Sequence, residues 1–286
     1  MSPLAMEGKT IVITGATSGI GQVAAEQLAA LGARLVLVAR DKGRAAAALA
    51  RLEALRPGTA HGVHYADLSR LSEIRRVASE IAAAEPRIDL LLNNAGALFG
   101  ARKVTEDGLE FTFATNHMAY FLLTSGLRER LVQSAPARVV NTASDAHRGA
   151  RLDFGDLQMS RGYTGFGAYR RSKLCNILFT RELARRLAGT GVTANCFHPG
   201  FVATRFGDES GGWGALAIRL AKIVALSPAE GARTLVHLAT SPDVAGVTGE
   251  YFHRSRPAVP DAPARDDEAA RRLWAESERL AGLRSV

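Results

Sequence analysis

Thr10-Ile11-Val12-Ile13-Thr14-Gly15-Ala16-Thr17-Ser18-Gly19-Ile20-Gly21 is the stretch on which the reading of the whole chain turns. Its first five residues form a short apolar run rich in β-branched side chains, which suit a pleated, half-buried surface. Glycines follow at 15, 19 and 21. Residues 20–31 then carry apolar side chains at helical spacing, and Gly32 supplies the stop. A strand that passes through a glycine turn into a helix has a specific use. The glycines let the backbone turn tightly and approach a pyrophosphate, and the helix offers that charge its positive end.

Working outward, strands and helices keep alternating. Leu35-Val36-Leu37-Val38 reads as a second strand, and an Ala/Arg/Leu helix fills about 42–55 before Pro57. His61 to Tyr65 is a weaker third strand, and the helix from Ile74 to Ala84 stops at Glu85-Pro86. Asp89-Leu90-Leu91-Leu92 is a fourth strand and Arg138-Val139-Val140 a fifth, with a long helical stretch of about 107–133 between them. A further helix covers about 168–188, and Val192 to Phe197 is a sixth strand. Near-continuous apolar strands separated by helices imply a parallel sheet covered on both faces. With right-handed crossovers the expectation is α/β: a single Rossmann-like doubly wound parallel sheet with helices on both faces. The stretch 254–267, with Pro257, Pro260 and Pro263, reads as a surface crossing, and a last amphipathic helix of about 268–281 carries Leu273, Trp274 and Leu280. The organisation read from this is one dinucleotide-binding catalytic domain over 1–253 and a C-terminal tail with a terminal helix over 254–286.

Composition narrows the function. The chain has 286 residues, 47% of them hydrophobic, which suffices for a sizeable core and excludes wholesale disorder. No apolar run approaches the length of a membrane span, and the first nine residues hold no apolar signal region. Two cysteines, Cys175 and Cys196, exclude a disulfide scaffold and a multi-cysteine metal site. These features point to a cytoplasmic setting with no membrane anchor. The net charge is +8, yet the basic residues are scattered in pairs such as Arg75-Arg76, Arg185-Arg186 and Arg271-Arg272. A nucleic-acid binder gathers such charge into a stripe or tail, so a solvated basic surface is the reading and no nucleic-acid partner is expected. A phosphorylated cofactor would still be attracted. His117, His147 and His198 lack metal-ligand spacing and no metal is expected; Cys175 has no dedicated base beside it.

The glycine spacing is Gly-x-x-x-Gly-x-Gly. Asn93-Asn94-Ala95-Gly96 follows the fourth strand, Asp67-Leu68 the third and Ser144 the fifth; Asn116 lies midway along the long helix, and Tyr169 and Lys173 open the next one. Pro199-Gly200 follows the sixth strand, and Thr204 completes Pro-Gly-x-x-x-Thr. In this order and spacing, from about residue 8 to 253, the chain resembles the short-chain dehydrogenase/reductase family. The resemblance implies that Gly15, Thr17, Ser18, Gly19, Ile20, Gly21, Asp67, Leu68, Asn94, Ala95 and Gly96 cradle a dinucleotide, with Asp67 at the adenine ring. It implies that Pro199, Gly200, Val202 and Thr204 hold the carboxamide, and that Lys173 also bonds the nicotinamide ribose. Which dinucleotide is decided after the second strand. An acidic residue there would bind ribose hydroxyls and repel a 2′-phosphate, whereas this chain has Arg40, whose guanidinium can pair with a phosphate. Asp41 beside it offers Arg40 a competing partner. NADP(H) is the expected cofactor, with NAD(H) second.

Tyr169 and Lys173 are four apart on a helix and share one face. With five tyrosines and five lysines in 286 residues, chance gives about 0.1 such pair. Reduction of a carbonyl by hydride needs a proton for the developing alkoxide. A phenol can give it, and a neighbouring ammonium is expected to lower its pKa and to favour phenolate. By resemblance Ser144, 25 residues before Tyr169, orients the substrate carbonyl, and Asn116 holds a water that links Lys173 to solvent. Ser172 reads as a cofactor or packing residue.

Thr105-Glu106-Asp107-Gly108-Leu109-Glu110, Asn116-His117-Met118, Ser144-Asp145-Ala146-His147 and the run from Ser172 to Leu187 look most like the retinol-dehydrogenase-like branch, several members of which carry an N-terminal membrane anchor. Thr142-Ala143 departs from it, because the branch often has a second serine at 143. Arg205 to Leu226, with Phe206 and Gly211-Gly212-Trp213-Gly214, reads as a mobile substrate lid, and 148–168, with Phe154, Tyr163 and Phe166, as the opposite wall. The expectation is an NADP(H)-dependent oxidoreductase that interconverts a bulky, hydrophobic ketone or aldehyde and its alcohol, with a homodimer or homotetramer possible. The alternative is a non-catalytic dinucleotide sensor or scaffold of the same fold. An extended-family epimerase or dehydratase would show Gly-x-x-Gly-x-x-Gly and a larger C-terminal domain, and neither is present.

Overall fold

In a computed structural model, residues 4–200 and 227–283 are described. The elements are β1 (Thr10–Thr14), α1 (Gly19–Ala30), β2 (Arg34–Ala39), α2 (Lys42–Leu55), β3 (Gly62–Tyr65), α3 (Leu71–Ala84) and β4 (Leu90–Asn93). They continue with α4 (Phe111–Phe113), a π-helical turn (Ala114–Met118), α5 (Ala119–Gln133), β5 (Ala137–Thr142), a 3-10 turn (Asp145–His147), α6 (Gly165–Arg186) and β6 (Val192–His198). From residue 227 onward come α7 (Pro228–Thr240), β7 (Tyr251–His253), β8 (Arg256–Pro257) and α8 (Asp267–Leu280).

Among the described residues the strands form one sheet in the order β3-β2-β1-β4-β5-β6-β7-β8. Every neighbouring pair is parallel except β7 and β8, which run antiparallel. The period of two along each strand divides the core between the faces. Ile11, Ile13, Leu35, Leu37, Leu90 and Leu92 pack beneath α1, α2 and α7. Val12, Val36, Leu91, Val139, Ala194 and Cys196 pack beneath α3, α5, α6 and α8. The doubly wound expectation is met. Strand order reverses between β2-β1 and β1-β4, so the crevice where such folds take ligands opens at the C-terminal ends of β1 and β4.

The structure corrects several local readings. The helix expected over about 107–133 begins only at Phe111. Residues before it form a tight hairpin in which Val104 bridges Glu110, Gly108 adopts φ +75° and the Glu110 carboxylate caps Thr112 and Phe113 N–H. The helix is then interrupted by the π-helical turn, with Ala119 N–H donating to Ala114 O. The tail was read as a crossing, yet it supplies β8. The β7–β8 turn is made by Arg254 (φ +49°) and Ser255 (φ +61°), a left-handed pair usually filled by Asn-Gly, so no turn signal was legible. Ser255 N–H donates to Thr234 Oγ1 at 3.0 Å, which ties the turn to α7. Helix α7 was missed although its start is written plainly: Ser227 and Glu230 form a reciprocal capping box with Pro228 at the first position.

Helix α8 is part of the core. Trp274 stacks on Phe179 of α6 with centroids 5.8 Å apart and meets Phe121 edge-on at 5.0 Å. His117 Nε2 lies 2.8 Å from Ser277 Oγ, and both residues are buried.

Candidate active site

The glycine turn forms as its sequence demands. Gly15 and Gly19 adopt φ +71° and +56°, where a β-carbon is disfavoured. A β-carbon on Gly15 would stand 2.8 Å from Ala95 Cα, and one on Gly21 would stand 2.3 Å from Gly15 O and 2.4 Å from Asn94 Nδ2. Thr14, Asn94 and Ala95 lock the two strand ends. The Thr14 hydroxyl accepts from Asn94 N at 2.9 Å and Ala95 N at 3.0 Å, while Asn94 Nδ2 donates to Thr14 O at 3.2 Å and Gly15 O at 3.3 Å. Ser18 is the N-cap of α1 and makes no side-chain cap bond, so the first-turn N–H groups face the turn ready for an anion. Thr17 and Ser18 lie on the turn, and Ile20 packs its side chain on the core.

Arg40 follows β2, next to β1 in the sheet, and is exposed. Asp41 feels the Arg40 charge but makes no ion pair with it at contact distance. The Asp41 carboxylate caps α2 through Arg44 N at 2.8 Å, and Arg44 Nε lies 3.6 Å from its other oxygen. That backbone bond and the Arg44 charge hold its carboxyl below the usual range. One strand further out, the Asp67 carboxylate accepts from Ser69 N at 3.0 Å and Ser69 Oγ at 2.8 Å, and Leu68 packs against the core. These residues fit a dinucleotide: a cradle that β-carbons would fill, a helix N-terminus left uncapped by its own serine, and a cation at the adjacent strand end.

The polar centre lies across β4, β5 and α6. The Ser144 side chain lies within reach of the Tyr169 phenol and acts on its titration. Lys173 Nζ stands 5.5 Å from the Tyr169 ring centroid and donates to Thr142 O at 3.0 Å. Asn176 Nδ2 donates to the same carbonyl at 3.1 Å. Thr142 and Thr14 are residues that sequence reasoning missed; their signal is a threonine closing a central strand just before the motif residues. Asn116, on the π-helical turn, uses its side chain on protein groups. Its Oδ1 accepts from Ala97 N at 2.8 Å, and its Nδ2 donates to Ala97 O at 2.9 Å and Ser172 Oγ at 3.0 Å. Both amide protons are therefore engaged, and one Oδ1 lone pair is left for the expected water. Ser172 donates onward to Tyr169 O at 2.8 Å, which makes it a packing residue. Gly96 closes the group, since a β-carbon there would lie 3.4 Å from Asn116 Oδ1 and 3.5 Å from Lys173 Nζ.

The electrostatics correct one expectation. Burial pushes the Tyr169 phenol up to about 12, against the Ser144 hydrogen bond that pulls it down. Burial brings Lys173 down to about 7. The lysine does not lower the phenol because desolvation of both groups outweighs their interaction at this separation. Tyr169 is thus a protonated acid near neutrality, beside an amine that is populated in both forms.

Pro199 and Gly200 follow β6 at the same edge, with Gly200 at φ +88°. Val202, Thr204 and the lid of 205–226 lie outside the described residues. The expected wall of 148–168 is only partly a wall. Phe154 turns to the core and lies under the Arg272 guanidinium at 4.3 Å, Tyr163 binds Phe99 O at 3.1 Å, and Phe166 is exposed.

A family model described as short chain dehydrogenase matches residues 9–213. Human retinol dehydrogenase 13 is 40% identical over 288 residues, covering 99% of this chain and 87% of that protein. Mouse retinol dehydrogenase 14 is 42% identical over 295 residues, covering 98% of this chain and 88% of that protein. Among solved structures, an uncharacterised protein from Mycobacterium paratuberculosis superposes with a TM-score of 0.77 at 33% identity, covering 97% of this chain and 94% of that one. The RhlG/NADP active-site complex from Pseudomonas aeruginosa superposes at 0.69 with 28% identity, covering 88% and 97%.

Proposed function

We propose, for a chain that belongs to the short-chain dehydrogenase family and resembles its retinol dehydrogenases, NADP(H) as coenzyme and a bulky, hydrophobic ketone or aldehyde as substrate. Membership makes the protein an oxidoreductase that interconverts carbonyl and alcohol. The observation that carries the catalytic reading is the grouping of three side chains: Ser144 acts on the Tyr169 phenol, and Lys173 Nζ stands 5.5 Å from the phenol ring.

A bound coenzyme would supply the hydride for the carbonyl carbon, or take it up in the reverse direction. Ser144 directs its hydroxyl at the substrate oxygen and stabilises the charge that grows there. Tyr169 gives its phenolic proton to that oxygen, so that hydride on carbon and proton on oxygen complete the alcohol. The Lys173 ammonium holds the resulting phenolate, and its pKa of about 7 lets it pass on a proton near neutrality. Asn116 keeps Ala97 and Ser172 in register with this group. Arg40, which makes no ion pair with Asp41 at contact distance, would be the group for the 2′-phosphate, which supports NADP(H). The names of the retinol dehydrogenase relatives support an apolar substrate.

The test is a panel of carbonyls, including all-trans-retinal, decanal and a bulky cyclic ketone, followed by nicotinamide absorbance with each coenzyme. Consumption of NADPH with apolar members, faster than that of NADH, is the expected result. Protein that binds NADPH and consumes none across the panel would be a sensor instead.

A further inference from the structure

Behind Ser144 stands a side chain that the reaction above does not use. His147 ends the 3-10 turn that Ser144 caps, and its side chain is fully buried. Its Nδ1 lies 2.7 Å from Ser144 O. A carbonyl only accepts, so Nδ1 carries the proton and Nε2 is bare. Nε2 in turn accepts from Asp261 N at 3.4 Å, with Asp261 Oδ1 3.5 Å away. Burial holds the imidazole below its usual range, which keeps this neutral tautomer. The Tyr251 ring packs edge-on against it at 5.3 Å. Asp261 is fastened as well, because its carboxylate accepts from Gly149 N at 2.7 Å.

We infer that His147 is a positioning residue: its imidazole N–H holds Ser144 O and so sets where the Ser144 hydroxyl stands relative to Tyr169. The inference rests on the oxidoreductase reading for its kinetic consequence. Ser144 lies on a loop beyond β5, where nothing in the sheet ladder fixes its backbone. Ser144 O takes both His147 N–H at 3.1 Å and the imidazole N–H. Ser144 Oγ accepts from Ala146 N at 3.2 Å, which leaves its proton free to direct.

Two substitutions divide the ring's two bonds. His147→Asn places an amide where Nδ1 stands, keeping the donor to Ser144 and losing Asp261. His147→Gln places its amide where Nε2 stands, keeping Asp261 and losing the donor. With NADPH and all-trans-retinal, His147→Asn is expected to keep kcat within about threefold, and His147→Gln to lose about tenfold to a hundredfold at unchanged NADPH Kd. Equal losses, or a better Gln variant, overturn the inference. If the Gln variant does not fold, Tyr251→Leu, which removes the ring that clamps the imidazole, is expected to lower kcat by about threefold or more; an unchanged kcat overturns the inference. Crystal structures of the Asn and Gln variants test it without turnover. The Ser144–Tyr169 contact is expected to survive in Asn and to open in Gln, and a contact intact in both contradicts the inference. A wild-type protein inert across the whole carbonyl panel would defeat the oxidoreductase reading alone.

Discussion

Lys173 Nζ donates to the Thr142 carbonyl at 3.0 Å while it stands 5.5 Å from the centre of the Tyr169 ring. One strand-end carbonyl therefore sets how far the amine sits from the phenol. The amine is buried, and that burial brings it from the usual lysine value of 10.5 to about 7. Between those two values the unfolded chain binds the extra proton, so stability rises with pH across that window, and the burial penalty is largest below about 7. Lys173→Met removes the penalty. The melting temperature of this variant minus that of the wild type is expected to be more positive at pH 6 than at pH 9.5. A difference that does not change with pH would contradict the buried amine.

Arg40 is exposed at the end of β2, and Asp41 is committed to Arg44. On the proposed NADP(H) reading, Arg40→Ala would remove one charge-assisted contact to a 2′-phosphate and leave the ribose site intact. The KM for NADPH is expected to rise about tenfold, and that for NADH to stay within about twofold. Equal changes for the two coenzymes would discredit the assignment.

Gly21 has no room for a methyl group, since its β-carbon would meet Gly15 O at 2.3 Å and Asn94 Nδ2 at 2.4 Å. The first of these is backbone and cannot swing away. Gly21→Ala is expected to cost about 1–3 kcal/mol in urea unfolding and to weaken NADPH binding at least tenfold, because the cradle itself must shift. Unchanged affinity by fluorescence titration would show that the turn does not hold the coenzyme.

The alternation of strand and helix was legible because each central strand is an unbroken apolar run, as Leu90 to Leu92 shows, and because glycine and proline mark the ends. The Tyr169–Lys173 pair was legible because helical spacing alone puts residues four apart on one face. Other features had no local signal. The π-helical turn around Asn116 is one extra residue in a helix whose composition reads as ordinary. The Arg254-Ser255 turn uses residues that seldom adopt positive φ. The direction of the Tyr169 shift depends on burial, and a one-dimensional pattern shows the charge of a neighbour before it shows the absence of water. The sequence shows His117 as lacking metal spacing and as part of the Asn116-His117-Met118 phrase, and its partner Ser277 lies 160 residues away in sequence.

That partner fixes α8. Ser277 Oγ donates to Leu273 O at 2.7 Å and therefore accepts from His117 Nε2. Burial holds the His117 imidazole down to about 3, so it stays neutral and needs that acceptor. Ser277→Ala leaves a buried N–H without a partner and is expected to cost about 1–3 kcal/mol, read as a melting temperature lowered by several degrees with kcat unchanged. An unaltered melting temperature would remove His117 from the anchoring of the terminal helix.

The most direct measurement is single-turnover nicotinamide absorbance for Tyr169→Phe against the wild type, with NADPH and the best carbonyl of the panel, alongside NADPH binding by fluorescence. The phenyl ring keeps the packing and removes only the hydroxyl that meets Ser144. The account predicts a rate lowered about a hundredfold to ten-thousandfold at an unchanged Kd. A variant that turns over at the wild-type rate would show that the proton comes from elsewhere.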